Sequence, residues 1–128
     1  MVAHGDLSIA SESEERTFEL GRTLAALLAT GDVISLSGDL GAGKTALVKG
    51  IAAGLGTSGA VTSPTFNILV VHGGPLVLNH FDLYRLENAD DLEDIDFYGV
   101  LESGGVSVIE WGDRFAGCLP PDHLSVVI

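Results

Sequence analysis

Apolar positions along this chain recur at two different periods, and each change of period marks an element. LSIA at 7–10 reads as a short strand. Ser11 then opens a helix, with Glu14 three residues on as a capping box. Phe18, Leu24, Leu27 and Leu28 keep helical spacing to about residue 29, where Gly31-Asp32 breaks it. VISLS at 33–37 is a short β-rich run, apolar enough to be buried on both faces. A glycine-rich loop follows at once. Leu47, Ile51 and Leu55 then place a helix over 45–55, ended by Gly56.

The second half alternates differently. VTSPTF (61–66) leads into NILVV (67–71), the turn HGGP (72–75) and LVLNHF (76–81), which together predict a β-hairpin over 67–81. Asn88 is placed to cap a short helix over ADDLEDI, whose acids Asp90, Asp91, Glu93, Asp94 and Asp96 read as a solvated face. Gly104-Gly105 breaks the pattern, VSVIEW (106–111) is a strand ending in an acid and an aromatic, and LSVVI (124–128) is a last strand. Strands alternating with helices predict an α/β fold, and the hairpin predicts a sheet that is not purely parallel. There is no internal repeat or linker, so 1–128 reads as a single domain.

Composition narrows the function. Hydrophobic residues make up 46% of the 128 positions, which predicts a soluble globule with a real core. No apolar run reaches the roughly 18 residues of a membrane span, and the first residues lack a secretory signal pattern. The one cysteine, Cys118, excludes an internal disulfide and a multi-cysteine zinc site. These points predict a cytoplasmic protein. Six basic residues against 18 acidic ones give a net charge of −12, the opposite of a DNA- or RNA-binding surface. A role in RNA biology would therefore run through a partner.

GDLGAGKT, Gly38 to Thr45, fits the P-loop pattern G-x-x-x-x-G-K-[ST]. Its glycines adopt backbone angles closed to other residues and let a ligand approach the main chain. The loop N–H groups turn inward as an anion nest, and the following helix adds its free N–H groups and positive dipole end. Lys44 sets a positive charge near the β- and γ-phosphates, and Thr45 offers a hydroxyl to Mg²⁺. The apolar strand before the loop and the periodic helix after it are the context the motif requires.

A P-loop also needs a carboxylate for the metal. Asp82 closes LVLNHF and Glu110 closes VSVI. Glu110 is the favoured ligand because its strand is apolar up to the acid; Asp82 would orient water or the metal shell. Thr65, in SPTF, is placed to offer a hydroxyl near the γ-phosphate. His80 reads as a packed histidine rather than a ligand. Trp111 either covers the site or fills core, and Cys118 reads as a small, partly buried residue.

GDLGAGKT, SPTF, HFDLYRL (80–86) and IEW (109–111), in this order and spacing, resemble the TsaE (YjeE) family, the P-loop ATPases of bacterial tRNA threonylcarbamoyladenosine biosynthesis. The likeness runs from about Leu7 to the end and includes E-x-x-x-x-x-L-G, Glu14 to Gly21. It implies a three-layer P-loop NTPase fold that binds ATP with Mg²⁺. It implies Thr45 and Glu110 as metal ligands and Gly41, Ala42, Gly43, Lys44, Thr45 and Ala46 around the phosphates. Asp82 and Thr65 resemble the family's switch and catalytic positions, and Glu14 matches a position near the nucleotide. The implied partners are TsaB and TsaD; TsaD transfers the threonylcarbamoyl group to adenosine 37 of tRNAs that read ANN codons, and the ATPase supports turnover of that complex. The chain departs from the family pattern in two places. It ends at Ile128, before a segment with Gly-Arg that family members usually carry, and Ala46 stands where a second threonine is frequent.

The residues predict hydrolysis by positioning and electrostatics, with Lys44 as a catalytic cation. The six basic residues are Arg16, Arg22, Lys44, Lys49, Arg85 and Arg114, and none stands out as an arginine finger, so hydrolysis is expected to be slow without partners. A small P-loop kinase is the first rival, disfavoured by the few arginines. A GTP switch is disfavoured because N-K-x-D is absent. A nucleotide-gated adaptor whose hydrolysis is incidental is the third.

Overall fold

The computed structural model describes residues 7–38, 43–57 and 68–128. The first helix, α1, spans Glu14–Ala25. Its cap is Ser13, whose Oγ accepts from the Arg16 N–H at 3.0 Å, so the expected Ser11–Glu14 box does not form. Ser11 is occupied instead with Thr17, Oγ to Oγ1 2.7 Å. Residues 7–10 form no strand: Leu7 and Ile9 are exposed and have no sheet partner. The helix also ends earlier than its spacing suggested. Leu27 points to solvent, 79% exposed, while Leu24 and Leu28 stay against the core.

Strand β1 is Val33–Ser37 and helix α2 is Lys44–Leu55, closed by Gly56 in the left-handed region (φ 73°), as the sequence predicts. The hairpin is formed by β2, Leu69–His72, and β3, Leu78–Asp82. His72 belongs to the strand rather than the turn, and Leu76 and Val77 to the loop. Two short helices follow, α3 at Asp90–Asp94 and α4 at Phe97–Glu102. Asn88 does serve the start of α3, its Oδ1 accepting from the Asp90 N–H at 3.1 Å. Only Leu92 of α3 is buried, and most of its acids face water. Strand β4 is Val106–Glu110, a 3₁₀ stretch covers Gly112–Cys118, and β5 is Leu124–Val127. The sequence pattern missed α4 and the 3₁₀ stretch, which are too short to show a period.

The strands form one sheet in the order β2-β3-β4-β1-β5. β3, β4, β1 and β5 run parallel, and β2 is antiparallel to β3. The sheet is therefore mixed and mainly parallel, and the architecture is α/β. Alternation along the strands splits the core in two. Ile34, Leu36, Leu78, Val106 and Val108 pack with Leu47, Val48, Ile51 and Leu55 of α2 on one face. Val33, Phe81 and Ile109 pack with Leu92, Phe97, Leu101 and Phe115 on the other. Helices cover both faces, giving three layers.

The first layer is tight because α1 and α2 meet at glycine. A Cβ on Gly50 would lie 2.0 Å from the Phe18 carbonyl oxygen, and one on Gly21 would lie 2.4 Å from that of Leu47. Only a residue without a side chain lets the two backbones approach this closely. This contact sets where α1 stands, and α1 forms one wall of the site below.

Candidate nucleotide site

Chemistry-bearing residues converge at the carboxyl ends of the parallel strands, where α/β sheets bind ligands. Asp82 ends β3 and Glu110 ends β4, and the two are register partners. Alternation puts both acids, with His80, on the α1–α2 face. Across from them stands the amino end of α2. Its capping residue, Gly43, has φ 100°, no side chain caps the helix and no acid lies in its first turn. By contrast, α1 has a serine cap and two acids there. The N–H groups at the head of α2 thus lack the local anionic partners such an end normally finds.

Lys44 begins α2 and is 94% buried. Its Nζ donates to the Gly38 carbonyl at 2.9 Å and lies 3.9 Å from the centre of the Trp111 ring. An ammonium has three protons to give, and a carbonyl and a ring face are weak compensation for a buried cation. Trp111 is itself in the left-handed region (φ 63°) and packs on Tyr84, ring centres 5.1 Å apart. Arg114 donates to the Tyr84 carbonyl, tying the strand exits together. Such backbone strain at a non-glycine residue is typical of functional sites.

Glu110 is 4% exposed. Its Oε2 lies 2.6 Å from Nε2 of His80, which is itself 1% exposed. His72 of β2 packs behind His80, ring centres 6.5 Å apart; burial, then the His80 charge, holds the His72 pKa below the usual imidazole range. Asp82 differs. Its Oδ1 accepts from the Tyr84 N–H at 3.0 Å, and burial pushes its carboxyl above the usual range, against the lowering effect of that bond and with further help from Glu110.

Lys44, Asp82, Glu110 and Trp111 border one cavity of about 700 Å³, inside the range of roughly 300–1,000 Å³ that small-molecule ligands occupy. Of the residues singled out from the sequence, Glu14, Gly43, Lys44, Thr45, Ala46, Asp82 and Glu110 all line it. Gly41, Ala42 and Thr65 lie outside the described residues. The sequence reading passed over Phe18 and Lys49, which also line it; His80 is packed as expected and does not line it, but it also reaches Glu110. Two-residue alternation from Asp82 did carry a signal for His80. Its nearness to Glu110 needs the β3–β4 register.

Asp82 carries a stability consequence. A raised folded-state pKa favours the protonated carboxyl in the fold. That contribution is full below the ordinary carboxylate range and is lost as pH rises through the raised value. Asp82→Asn keeps the bond from Tyr84 and removes the ionised form. We expect its urea midpoint at pH 7 to equal or exceed that of the parent, with the gap closing toward pH 3. A clearly lower midpoint at pH 7 would contradict this.

Comparison with known proteins shows the chain's family. The family model described as threonylcarbamoyl adenosine biosynthesis protein TsaE matches residues 11–128. The tRNA threonylcarbamoyladenosine biosynthesis protein TsaE of Treponema pallidum is 46% identical over 110 residues, covering 86% of this chain and 82% of that protein. The protein of the same name from Streptomyces coelicolor is 51% identical over 116 residues, covering 86% and 76%. Among solved structures, the crystal structure of Bacillus subtilis YdiB superposes with a TM-score of 0.72 at 34% identity, covering 92% of this chain and 72% of that one. Matched in sequence over most of its length and in fold, the chain belongs to the TsaE family of threonylcarbamoyl adenosine biosynthesis proteins.

Proposed function

We propose that this protein binds ATP with Mg²⁺ and hydrolyses it slowly, supporting formation of threonylcarbamoyladenosine at position 37 of tRNAs that read ANN codons through TsaB- and TsaD-type partners. The family's place in that biosynthesis and a P-loop nucleotide site are the foundation. The observation that carries the rest is the buried Lys44 ammonium beside an uncapped helix head, facing two carboxylates across one cavity. That donor set fits a triphosphate with a hard cation. Lys44 has unspent hydrogen-bonding capacity, and the α2 head offers N–H groups. Mg²⁺ is usually bound through one or two carboxylates plus substrate phosphates, and among the described residues no cluster of three acids, histidines or cysteines is present to hold a metal without the nucleotide.

In this reading Thr45 and Glu110 would hold the ion, which when bound would supply positive charge to offset the negative charge on the phosphates. Lys44 and the main chain of 41–46 orient the phosphates. Asp82, with its pKa pushed up by burial, orients the attacking water and accepts its proton. Thr65 supports the γ-phosphate. Glu14 stands on the α1 wall near the nucleotide. Among the described residues no arginine borders the cavity, so the rate gain of roughly 10³–10⁵ that an arginine finger brings must come from a partner. No described helix is long and apolar enough to cross a membrane.

The test is ATP turnover by the isolated chain and with TsaB and TsaD added. Slow turnover that rises with the partners is expected, and Glu110→Ala should stop it while nucleotide-dependent capture of the partners persists. Turnover by the chain alone at kinase-like rates, about 1–100 per second, would overturn the reading. If Glu110→Ala leaves partner-dependent threonylcarbamoylation intact, the protein is a nucleotide-gated adaptor instead.

A further inference from the structure

We propose that His80 is a positioning residue: it donates from Nε2 to Oε2 of Glu110 and so directs the other carboxylate oxygen toward the cavity, as a metal ligand. The inference rests on the reading of Glu110 as a ligand for Mg²⁺. Three features of the structure lead to it. The Nε2–Oε2 distance is 2.6 Å, at the short end for a bond to an ionised acceptor. Both groups are withdrawn from water, His80 at 1% and Glu110 at 4% exposure, so water does not orient the carboxylate in their place. And among the described residues Glu110 has no ion pair with a lysine or arginine; the Lys44 ammonium is held at the Gly38 carbonyl and the Trp111 ring instead.

The chemistry of the donor matters as much as its reach. Nδ1 of His80 is buried and has no hydrogen-bond partner. The tautomer with its proton on Nε2 leaves only a lone pair unpaired there, whereas a proton on Nδ1 would be a buried donor without an acceptor. An imidazole N–H fixes the carboxylate without the permanent charge that an arginine or lysine at the same place would bring. The charge stays available for a dication. Ligating carboxylates are commonly held by such outer hydrogen bonds. The strands supply the rigidity: His80 and Glu110 sit on one face of adjacent parallel strands, and the His72 ring backs His80 from β2. A glutamate has three side-chain torsions, and this bond removes the freedom of the last.

The test separates reach from bulk. His80→Gln places an amide N–H the same number of bonds from Cβ as Nε2; His80→Asn carries the same amide one bond short; His80→Leu fills the space without a donor. Mn²⁺ is titrated into each protein with a non-hydrolysable ATP analogue present, and free Mn²⁺ is followed by electron paramagnetic resonance. Analogue binding is measured separately in EDTA. His80→Leu and His80→Asn should weaken Mn²⁺ by about 10- to 100-fold, His80→Gln should stay within a few-fold of the parent, and binding in EDTA should be unchanged in all three. Parental Mn²⁺ affinity in His80→Leu overturns the proposal, as does an equal loss in the Gln and Asn variants or a parallel loss in EDTA. If His80→Leu does not fold, the Gln–Asn pair decides alone. Glu110→Ala runs alongside: if it binds Mn²⁺ as the parent does, the reading of Glu110 as a ligand fails and takes this proposal with it, an outcome distinct from a failure confined to His80.

Discussion

Lys44→Met is expected to weaken ATP binding by roughly two orders of magnitude and to abolish turnover, while leaving the fold as stable as before. The methionine keeps most of the stem and removes the ammonium. A hydrogen bond to a charged group is worth about 1.5–3 kcal/mol, or roughly ten- to 150-fold, and Lys44 would direct more than one proton at the phosphates. The cost to folding is small for the same reason the site wants an anion. In its absence the cation is 94% buried, with one carbonyl and one ring as compensation, and removing it deletes a desolvated charge. Melting curves with and without ATP read both effects together. The parent should gain melting temperature with ATP, as any ligand that binds only the folded state requires, and the variant should gain almost none from an equal or higher baseline. A variant that keeps the full ATP-dependent shift would sink this account of the site.

Gly50→Ala carries the largest expected effect on stability. In an isolated helix the change is favourable by about 1 kcal/mol. Here the added Cβ would stand 2.0 Å from the Phe18 carbonyl oxygen, and its neighbours are backbone atoms that cannot rotate away. The helices must separate by an ångström or more, opening the layer that buries Leu47, Val48 and Ile51. Overpacking of this kind costs about 1–3 kcal/mol and occasionally more, and the upper end is expected. That is a large part of a total of roughly 5–15 kcal/mol. Gly117→Ala is the control, since nothing lies within 4 Å of its Cβ position and its φ is ordinary. Urea midpoints should fall sharply for Gly50→Ala and stay close to the parent for Gly117→Ala. Because α1 carries Glu14 and Phe18 to the cavity, nucleotide affinity should fall with Gly50→Ala even where the protein remains folded.

The two predictions differ in how far the sequence alone leads to them. Lys44 is legible because the P-loop is a local device: its glycines, its lysine and the helix it opens are adjacent in the chain. Asp82 and Glu110 are legible for a related reason, since an acid closing an apolar strand must emerge at the sheet's edge. Gly50 is not. Within KTALVKGIAAGL it looks like a weak spot in a helix, and only the backbone of α1 against it shows its purpose. The misplaced elements have similar causes. LSIA has strand composition but no partner strand. Ser11 and Ser13 are both competent caps, and the geometry at Arg16 selects the second.

By itself the sequence determined the five strands of the sheet and the two long helices, where the glycine-rich loop stands and which acids meet the sheet's edge. These rest on side-chain period and on neighbours within a turn, and such information is contained in a short window of chain. Strand order, the β3–β4 register and the closeness of α1 to α2 were settled only in the folded molecule. With them came the bond between His80 and Glu110, 30 residues apart. Nothing local encodes such a pairing; it exists because burying both faces of the sheet allows few arrangements, and the one adopted sets a histidine beside a glutamate that neither segment foretells.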